Sequence, residues 1–125
     1  MSAPILSPAI PQLSSGNLQR TADFYRDCLG FTEFKLFPEG GYLIARRETV
    51  EIHFWLAGSE EEAKRYGSAS GCYIRVRNIG PLYEELRRRG APFRYGLTRQ
   101  PWGMREMQVD DPFGNAIRFG EALEA

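Results

Sequence analysis

Asn17-Leu18-Gln19-Arg20-Thr21-Ala22-Asp23-Phe24-Tyr25, running on through Leu29-Gly30-Phe31, reads as a capped amphipathic helix that hands over to a strand. The Asn17 side chain can accept from the unpaired N–H groups of a first helical turn, which suits it to the N-cap. Leu18, Ala22, Tyr25 and Leu29 recur at helical spacing, and Gly30 stops the run where a left-handed residue is wanted. A second stretch repeats the design: Asn78-Ile79-Gly80-Pro81-Leu82-Tyr83 leads through Leu86 to a stop at Gly90. Pro81 fits a first helical turn, and Glu84 and Glu85 stand four residues before Arg88 and Arg89, the favourable order. The two Asn residues are 61 positions apart and the two Gly residues 60, so the chain reads as a duplicated unit.

Strands fill the intervals. Ile10 to Leu13 precedes the first helix; Phe31 to Phe37, Tyr42 to Arg46 and Val50 to Leu56 follow it. Gly71 to Arg77 precedes the second helix; a short segment near Phe93, Met104 to Val109 and Ala116 to Phe119 follow that one. Pro38-Glu39-Gly40-Gly41, Arg47-Glu48-Thr49 and Asp111-Pro112-Phe113-Gly114-Asn115 supply turns, with Asp110 and Asp111 as turn-capping carboxylates. Gly58 to Ser70 is a bridge, either a short helix or an irregular surface segment. The expected architecture is α+β, with two βαβββ modules over about 8–57 and 71–120 in one domain spanning 1–125. Their antiparallel or mixed sheets form a cupped cavity.

Composition excludes several partners. Lys plus Arg equals Asp plus Glu at 16 each, so no net field recommends nucleic acid or an anionic membrane. The Arg87-Arg88-Arg89 run beside Glu84 and Glu85 is a solvated helix end. No apolar run approaches the roughly 20 residues of a membrane span. Met1 to Ile10 lacks the pattern of a signal peptide. Cys28 and Cys72 have no metal-type spacing and read as reduced core thiols. The expected location is the cytoplasm.

One helix covers only one face of a four-stranded sheet. In Val50 to Leu56, alternation sends Val50, Ile52, Phe54 and Leu56 to the helix and Glu51, His53 and Trp55 to the opposite face. In the last strand, Ile117 and Phe119 meet the helix, and Ala116 and Arg118 do not. A face bearing His, Trp and Arg reads as a cavity wall, since Trp is costly to leave in water. Phe24, Tyr25, Phe54 and Phe119 read as core.

The helix Asn17 to Tyr25 with Leu29-Gly30-Phe31, and the turn Asp111 to Asn115, together resemble the signatures of the vicinal-oxygen-chelate superfamily. That superfamily includes glyoxalase I, extradiol dioxygenases, fosfomycin-resistance proteins and bleomycin-resistance proteins. The resemblance runs from about Pro8 to Glu121. Gln100-Pro101-Trp102-Gly103-Met104-Arg105-Glu106 is similar to the bleomycin-resistance proteins in particular. Ala9-Ile10-Pro11-Gln12-Leu13 resembles their N-terminal strand, near the arm exchanged between subunits. The resemblance implies a domain-swapped homodimer with two crevices at the interface. Each crevice holds a bleomycin-type drug or another metabolite by sequestration, conferring antibiotic resistance without catalysis and without a cofactor. Tyr42, Trp55 and Trp102 are the expected stacking residues, with Gly103 beside them. His53, Glu51 and Arg118 orient the ligand. Family crevices are acidic, and Glu51 is the one carboxylate that the alternation places in this one.

The alternative is a metal-dependent enzyme of the glyoxalase or fosfomycin-resistance kind. Its four ligand positions carry over to Ile10, to His53, to the neighbourhood of Cys72 or Tyr73, and to Arg118. Ile10 cannot ligate and a guanidinium repels a metal, so too few ligands remain and no metal is expected. Gln12 and Glu51 join only if the register shifts by one. His53 is the sole histidine, and no Ser or Cys has a reason to sit beside it, so nucleophilic dyads are not built here.

Overall fold

The computed structural model describes residues 2–124. Its elements run β1 (Gln12–Ser15), α1 (Leu18–Leu29), β2 (Glu33–Phe37), β3 (Tyr42–Arg47), β4 (Val50–Leu56), α2 (Glu60–Gly67), β5 (Gly71–Arg75), α3 (Ile79–Arg88), β6 (Phe93–Gln100), β7 (Met104–Asp110) and β8 (Ala116–Ala122). Asn17 caps α1 by accepting from the Arg20 N–H at 3.0 Å, and Gly30 closes it at φ 71°. The matching helix α3 is capped differently. Asn78 sits at φ 61° and makes no side-chain cap; the Glu121 carboxylate, reaching in from β8, accepts from the N–H groups of Asn78 and Ile79. The negative charge at a helix start also complements the helix dipole.

Two four-stranded mixed sheets result, ordered β1-β4-β3-β2 and β5-β8-β7-β6. In each, the outer strand before the helix runs parallel to the last strand of its module, and the other pairings are antiparallel. The two sheets are therefore copies of one topology, an α+β arrangement of two βαβββ units. Several edges differ from expectation. The first strand starts at Gln12, not Ile10, because Pro8 and Pro11 have no N–H to donate to a ladder. The Pro11 carbonyl still accepts from the His53 N–H at 3.0 Å. The segment near Phe93 is a full eight-residue strand with two register shifts against β7. The bridge is the helix α2, capped by Ser59 and carrying Glu60, Glu61 and Glu62 in its first turn. No helix among the described residues is long and apolar enough to cross a membrane.

One set of buried side chains draws on both modules: Leu18, Tyr25, Leu29, Leu43, Ile52 and Phe54 from the first, Ile79, Leu86, Met107, Val109, Ile117 and Phe119 from the second. Phe24 and Val50 are half-buried at its edge, and Leu56 is 44% exposed, since the β3 ladder ends one residue earlier at Trp55. At the centre, the fully buried Tyr25 ring meets Phe24, Phe31 and Phe54 edge-on. A buried hydroxyl without a partner would cost about 1–3 kcal/mol. Tyr25 avoids that by donating to Asp111, in the β7–β8 turn, at 2.8 Å. Asp111 also accepts from the backbone N–H groups of Phe113 and Asn115 and from the Asn115 amide, which donates in turn to the Ser14 carbonyl. Arg47 adds a paired contact to Glu85 of α3 at 2.8 Å. These bonds tie the two modules together.

Candidate functional site

Each sheet turns one face to its helix and leaves the other open. The register puts Gln12 beside His53, His53 beside Ile44, Tyr42 beside Trp55, and Glu51 beside Arg46 on the open face of the first sheet. Four of these side chains form a chain with one consistent proton order. The Gln12 amide donates to the Tyr42 hydroxyl at 3.3 Å, so the phenol proton is free to go to His53 Nδ1 at 2.8 Å. His53 Nε2–H then donates to Glu51 at 2.6 Å, and Arg46 stands 3.6 Å from the same carboxylate. A carboxylate at one ring nitrogen fixes the tautomer at the other. Trp55 is engaged elsewhere: α2 lies over its end of the face, where the indole meets Tyr66 edge-on and Ser14 bonds the Ala63 carbonyl.

The open face of the second sheet is organised around a carboxylate. Glu106, on β7, is 2% exposed and accepts from the Tyr73 hydroxyl at 3.0 Å, from the Tyr95 hydroxyl at 3.3 Å and from the Trp102 indole N–H. Burial, then the hydrogen bond to Glu106, push the Tyr73 phenol up to about 12; burial and Glu106 likewise push the Tyr95 phenol up. The rings themselves look outward, with Trp102 64% and Tyr73 42% exposed. Gly103, at φ 82° in the β6–β7 turn, supplies the left-handed residue that follows Trp102. Arg118 is exposed and donates to Gln108 at 2.9 Å; no carboxylate lies within 4.0 Å of it among the described residues.

The expected residues thus divide. Tyr42, Glu51 and His53 are joined on one sheet, Trp102, Gly103 and Arg118 lie on the other, and Trp55 is half-buried under α2. No side-chain hydrogen bond links the two open faces within one chain among the described residues. Three clefts open among these elements. One of about 510 Å³ follows Arg47, Val50, Ile74, Leu82 and Glu85 between the modules, one of about 380 Å³ runs along Ser7 to Pro11, Glu51 and β5, and one of about 480 Å³ lies beside Ser70, Tyr73 and Arg118. The first lies away from the paired polar and aromatic groups of the two faces, whereas the second takes in Glu51 and Tyr73 and the third Tyr73 and Arg118, so we place the site on the sheet faces.

Two expectations are corrected. The first-strand position beside His53 is Gln12, not Ile10, which lies before β1 and is 42% exposed. Glu51 is also not the sole carboxylate of the faces, because Glu106 occupies the second. The signal was present: with Met107 and Val109 directed to the core, alternation along β7 sends Glu106 and Gln108 to the face of Arg118. Even with Gln12 admitted, the donor set does not fit a divalent metal. Both ring nitrogens of His53 are engaged, a guanidinium stands at 118, and among the described residues no three His, Cys, Asp or Glu side chains converge.

Comparison with known proteins agrees with this architecture. Residues 9–119 match the family model of the Glyoxalase/Bleomycin resistance protein/Dioxygenase superfamily. The chain is 30% identical over 132 aligned positions to a bleomycin resistance protein of Geobacillus stearothermophilus, covering 94% of this chain and 98% of that one. Among solved structures, the bleomycin resistance determinant encoded on transposon Tn5 superposes with a TM-score of 0.77 at 24% identity, covering 94% of this chain and 98% of that chain. A bleomycin-binding protein of Streptomyces verticillus, solved with copper(II)-bleomycin, gives a TM-score of 0.77 at 24% identity, covering 98% of this chain and all of the other. At these identities the two structures speak for the fold.

Proposed function

This chain belongs to the glyoxalase/bleomycin resistance protein/dioxygenase superfamily, and from that premise we propose that it binds and sequesters a bleomycin-type molecule without chemical change. The observation that carries the reading is Trp102: an indole 64% exposed, yet tied by its N–H to a buried carboxylate. An exposed ring held in one orientation is a stacking platform that loses little entropy on binding. The name of the 30% identical relative supports the drug class. Tyr42, Trp102 and, at the edge, Trp55 stack on the ligand; His53, Glu51 and Arg118 orient it; Gly103 keeps Trp102 in place. The guanidinium of Arg118, which has no carboxylate partner among the described residues, is suited to an anionic or carbonyl group of the ligand.

The protein acts as a homodimer in this reading. Among the described residues no side-chain hydrogen bond joins the two open faces within one chain, which suits a crevice completed by a partner subunit. The arm before β1 carries Ile5, Leu6 and Ile10 at 90%, 95% and 42% exposure, apolar surface available for exchange. No step through a metal is assigned, for the reasons of ligand chemistry given above.

The test is titration of metal-free bleomycin into EDTA-treated protein by calorimetry, with light scattering alongside. The expected result is one drug per subunit at sub-micromolar Kd, roughly −8 kcal/mol or stronger, on a particle of twice the monomer mass. Trp102→Ala should abolish it. A failure of the wild type to bind removes the drug; a monomer removes the interface crevice.

A further inference from the structure

The cleft of about 510 Å³ between the modules belongs to neither open face, and its chemistry is unlike theirs. Its floor is apolar: Phe31, Val50, Ile74, Leu82 and Phe119 line it, with Phe31 and Phe119 buried beneath. Sites for small organic molecules are usually about 300–1,000 Å³ and mostly apolar. No residue of the arm before β1 enters the cleft. Asn78, Pro81, Leu82 and Glu85 give it one stripe of α3 at helical spacing. The helix therefore runs along the cleft and parts it into two ends, about 10 Å from each other along the axis.

The two ends differ in charge. At the Glu85 end, cations and anions neutralise one another. Arg47 gives two bonds of 2.8 Å to Glu85, Arg89 gives a third, and Glu48 lies 3.8 Å from Arg47. At the Asn78 end stand Arg75 and Arg77, both exposed, and no carboxylate lies within 4.0 Å of either among the described residues. The Glu121 carboxylate accepts from the N–H groups of Asn78 and Ile79 and does not line the cleft. The Asn78 side chain makes no cap, so its amide is open to a ligand. Glu48 and Asn78 are also the two non-glycine residues of positive φ among the described residues, at 53° and 61°. Such backbone is uncommon outside glycine and gathers where ligands are held. Here the two residues come from different modules and meet on one cleft.

We infer that this cleft is a second binding site, for a small organic anion: an aryl or alkyl carboxylate whose apolar body lies on the Phe31, Leu82 and Phe119 floor and whose head meets Arg77, Arg75 and the Asn78 amide. A guanidinium matches a carboxylate with two parallel bonds. Glu48 and Glu85 repel the head from the other end, so the anion enters in one orientation. Arg75 is shared, since it also lines the neighbouring cleft and acts on Tyr73; Arg77 lines this cleft and neither of the other two, and carries most of the preference. The site is independent of the sequestration reading. It lies on the helix side of the sheets, and a molecule bound there leaves Tyr42, His53 and Trp102 free.

The test compares naphthoate with its uncharged isostere naphthamide. Binding is followed by NMR on the Asn78 side-chain amide of the full chain, with the Trp102 indole N–H as the control for the sheet faces. The wild type should bind naphthoate about fivefold tighter than naphthamide, the scale of two exposed charge pairs. The preference should shrink at high ionic strength. Arg77→Gln should lower it to about twofold, and Arg77→Gln together with Arg75→Gln should remove it, with naphthamide affinity unchanged. Both arginines are exposed, so their replacement leaves the fold intact. Leu82→Ala should weaken both probes alike, by about threefold, and keep the preference. Equal binding of the two probes to wild type, or a preference that survives the double substitution, overturns the site. So does naphthoate that moves Trp102 while Asn78 stays still, which would put the anion on the face of Arg118. If neither probe binds, the site falls whether or not bleomycin binds, and the drug reading stands or falls on its own titration.

Discussion

The two sheets share strand order and a parallel edge, and yet their open faces solve opposite problems. The first carries a linear relay, Gln12 to Tyr42 to His53 to Glu51, whose members are half-buried or exposed and can each change partner. The second carries a hub, in which three side-chain donors converge on one carboxylate that is 2% exposed. Positions that match through the duplication hold unlike chemistry: Gln12 against Tyr73, His53 against Arg118, Ile44 against Gln108. The helix-facing sides remained alike because a packed core tolerates little change in volume. The open sides had no such constraint, so a duplicated scaffold could become two different walls.

The comparison presumes that both walls stand on one core, and the most damaging substitution attacks that premise. Asp111→Ala removes the acceptor of four donors, among them the buried Tyr25 hydroxyl. Two effects oppose. Burial pushes the Asp111 carboxyl up, against its hydrogen bonds, so the carboxylate itself is costly to keep. Orphaned buried donors cost about 1–3 kcal/mol each, and several outweigh one charge. The expected loss is about 3 kcal/mol in urea unfolding, in one transition sensed by Trp55 and Trp102 alike. Two separate transitions would mean that the modules stand independently.

A matched pair of substitutions then measures hub against relay. Glu106→Gln keeps the shape but turns an amide N–H toward a donor, in a site shut off from water, and should cost about 2 kcal/mol of stability. Glu51→Gln disturbs a carboxylate whose side chain is 24% exposed and whose partners can rearrange; about 0.5 kcal/mol is expected. Equal costs would show the hub to be no more buried in energy than the relay, and the contrast between the walls would be one of geometry alone.

Much of this was legible in the residues. The capped helix at Asn17 and its echo at Asn78 give the duplication, and period-two alternation assigns Glu51, His53, Trp55 and Arg118 to open faces. Three features escaped, for three physical reasons. The start of β1 moved because proline costs a ladder its N–H, a local effect that hydrophobic pattern does not register. Capping of α3 by Glu121 is a contact between residues some forty positions apart. The hub needs β5, β6 and β7 brought side by side across β8, and Glu106 alone in sequence looks like one more charged residue in a strand.

The finest distinction lies in proton affinity. Tyr73 donates to Glu106 and has its phenol pushed from the ordinary 10.0 up to about 12, by burial first and by the carboxylate next. A raised value in the folded state means that the protonated pair contributes stability in full below the unfolded value near 10.0. That contribution is lost as pH rises through about 12. Spectrophotometric titration of the tyrosines should therefore contain a late component that is absent from Tyr73→Phe. In Glu106→Gln it should move back part of the way toward 10.0, because the charge leaves while burial remains. A component that stays late in Glu106→Gln would assign the shift to burial alone. A Tyr73 that ionises at its ordinary value in wild type would be more serious. It would mean that no buried carboxylate holds that hydroxyl, and that the second face, like the first, is a wall of exchangeable partners.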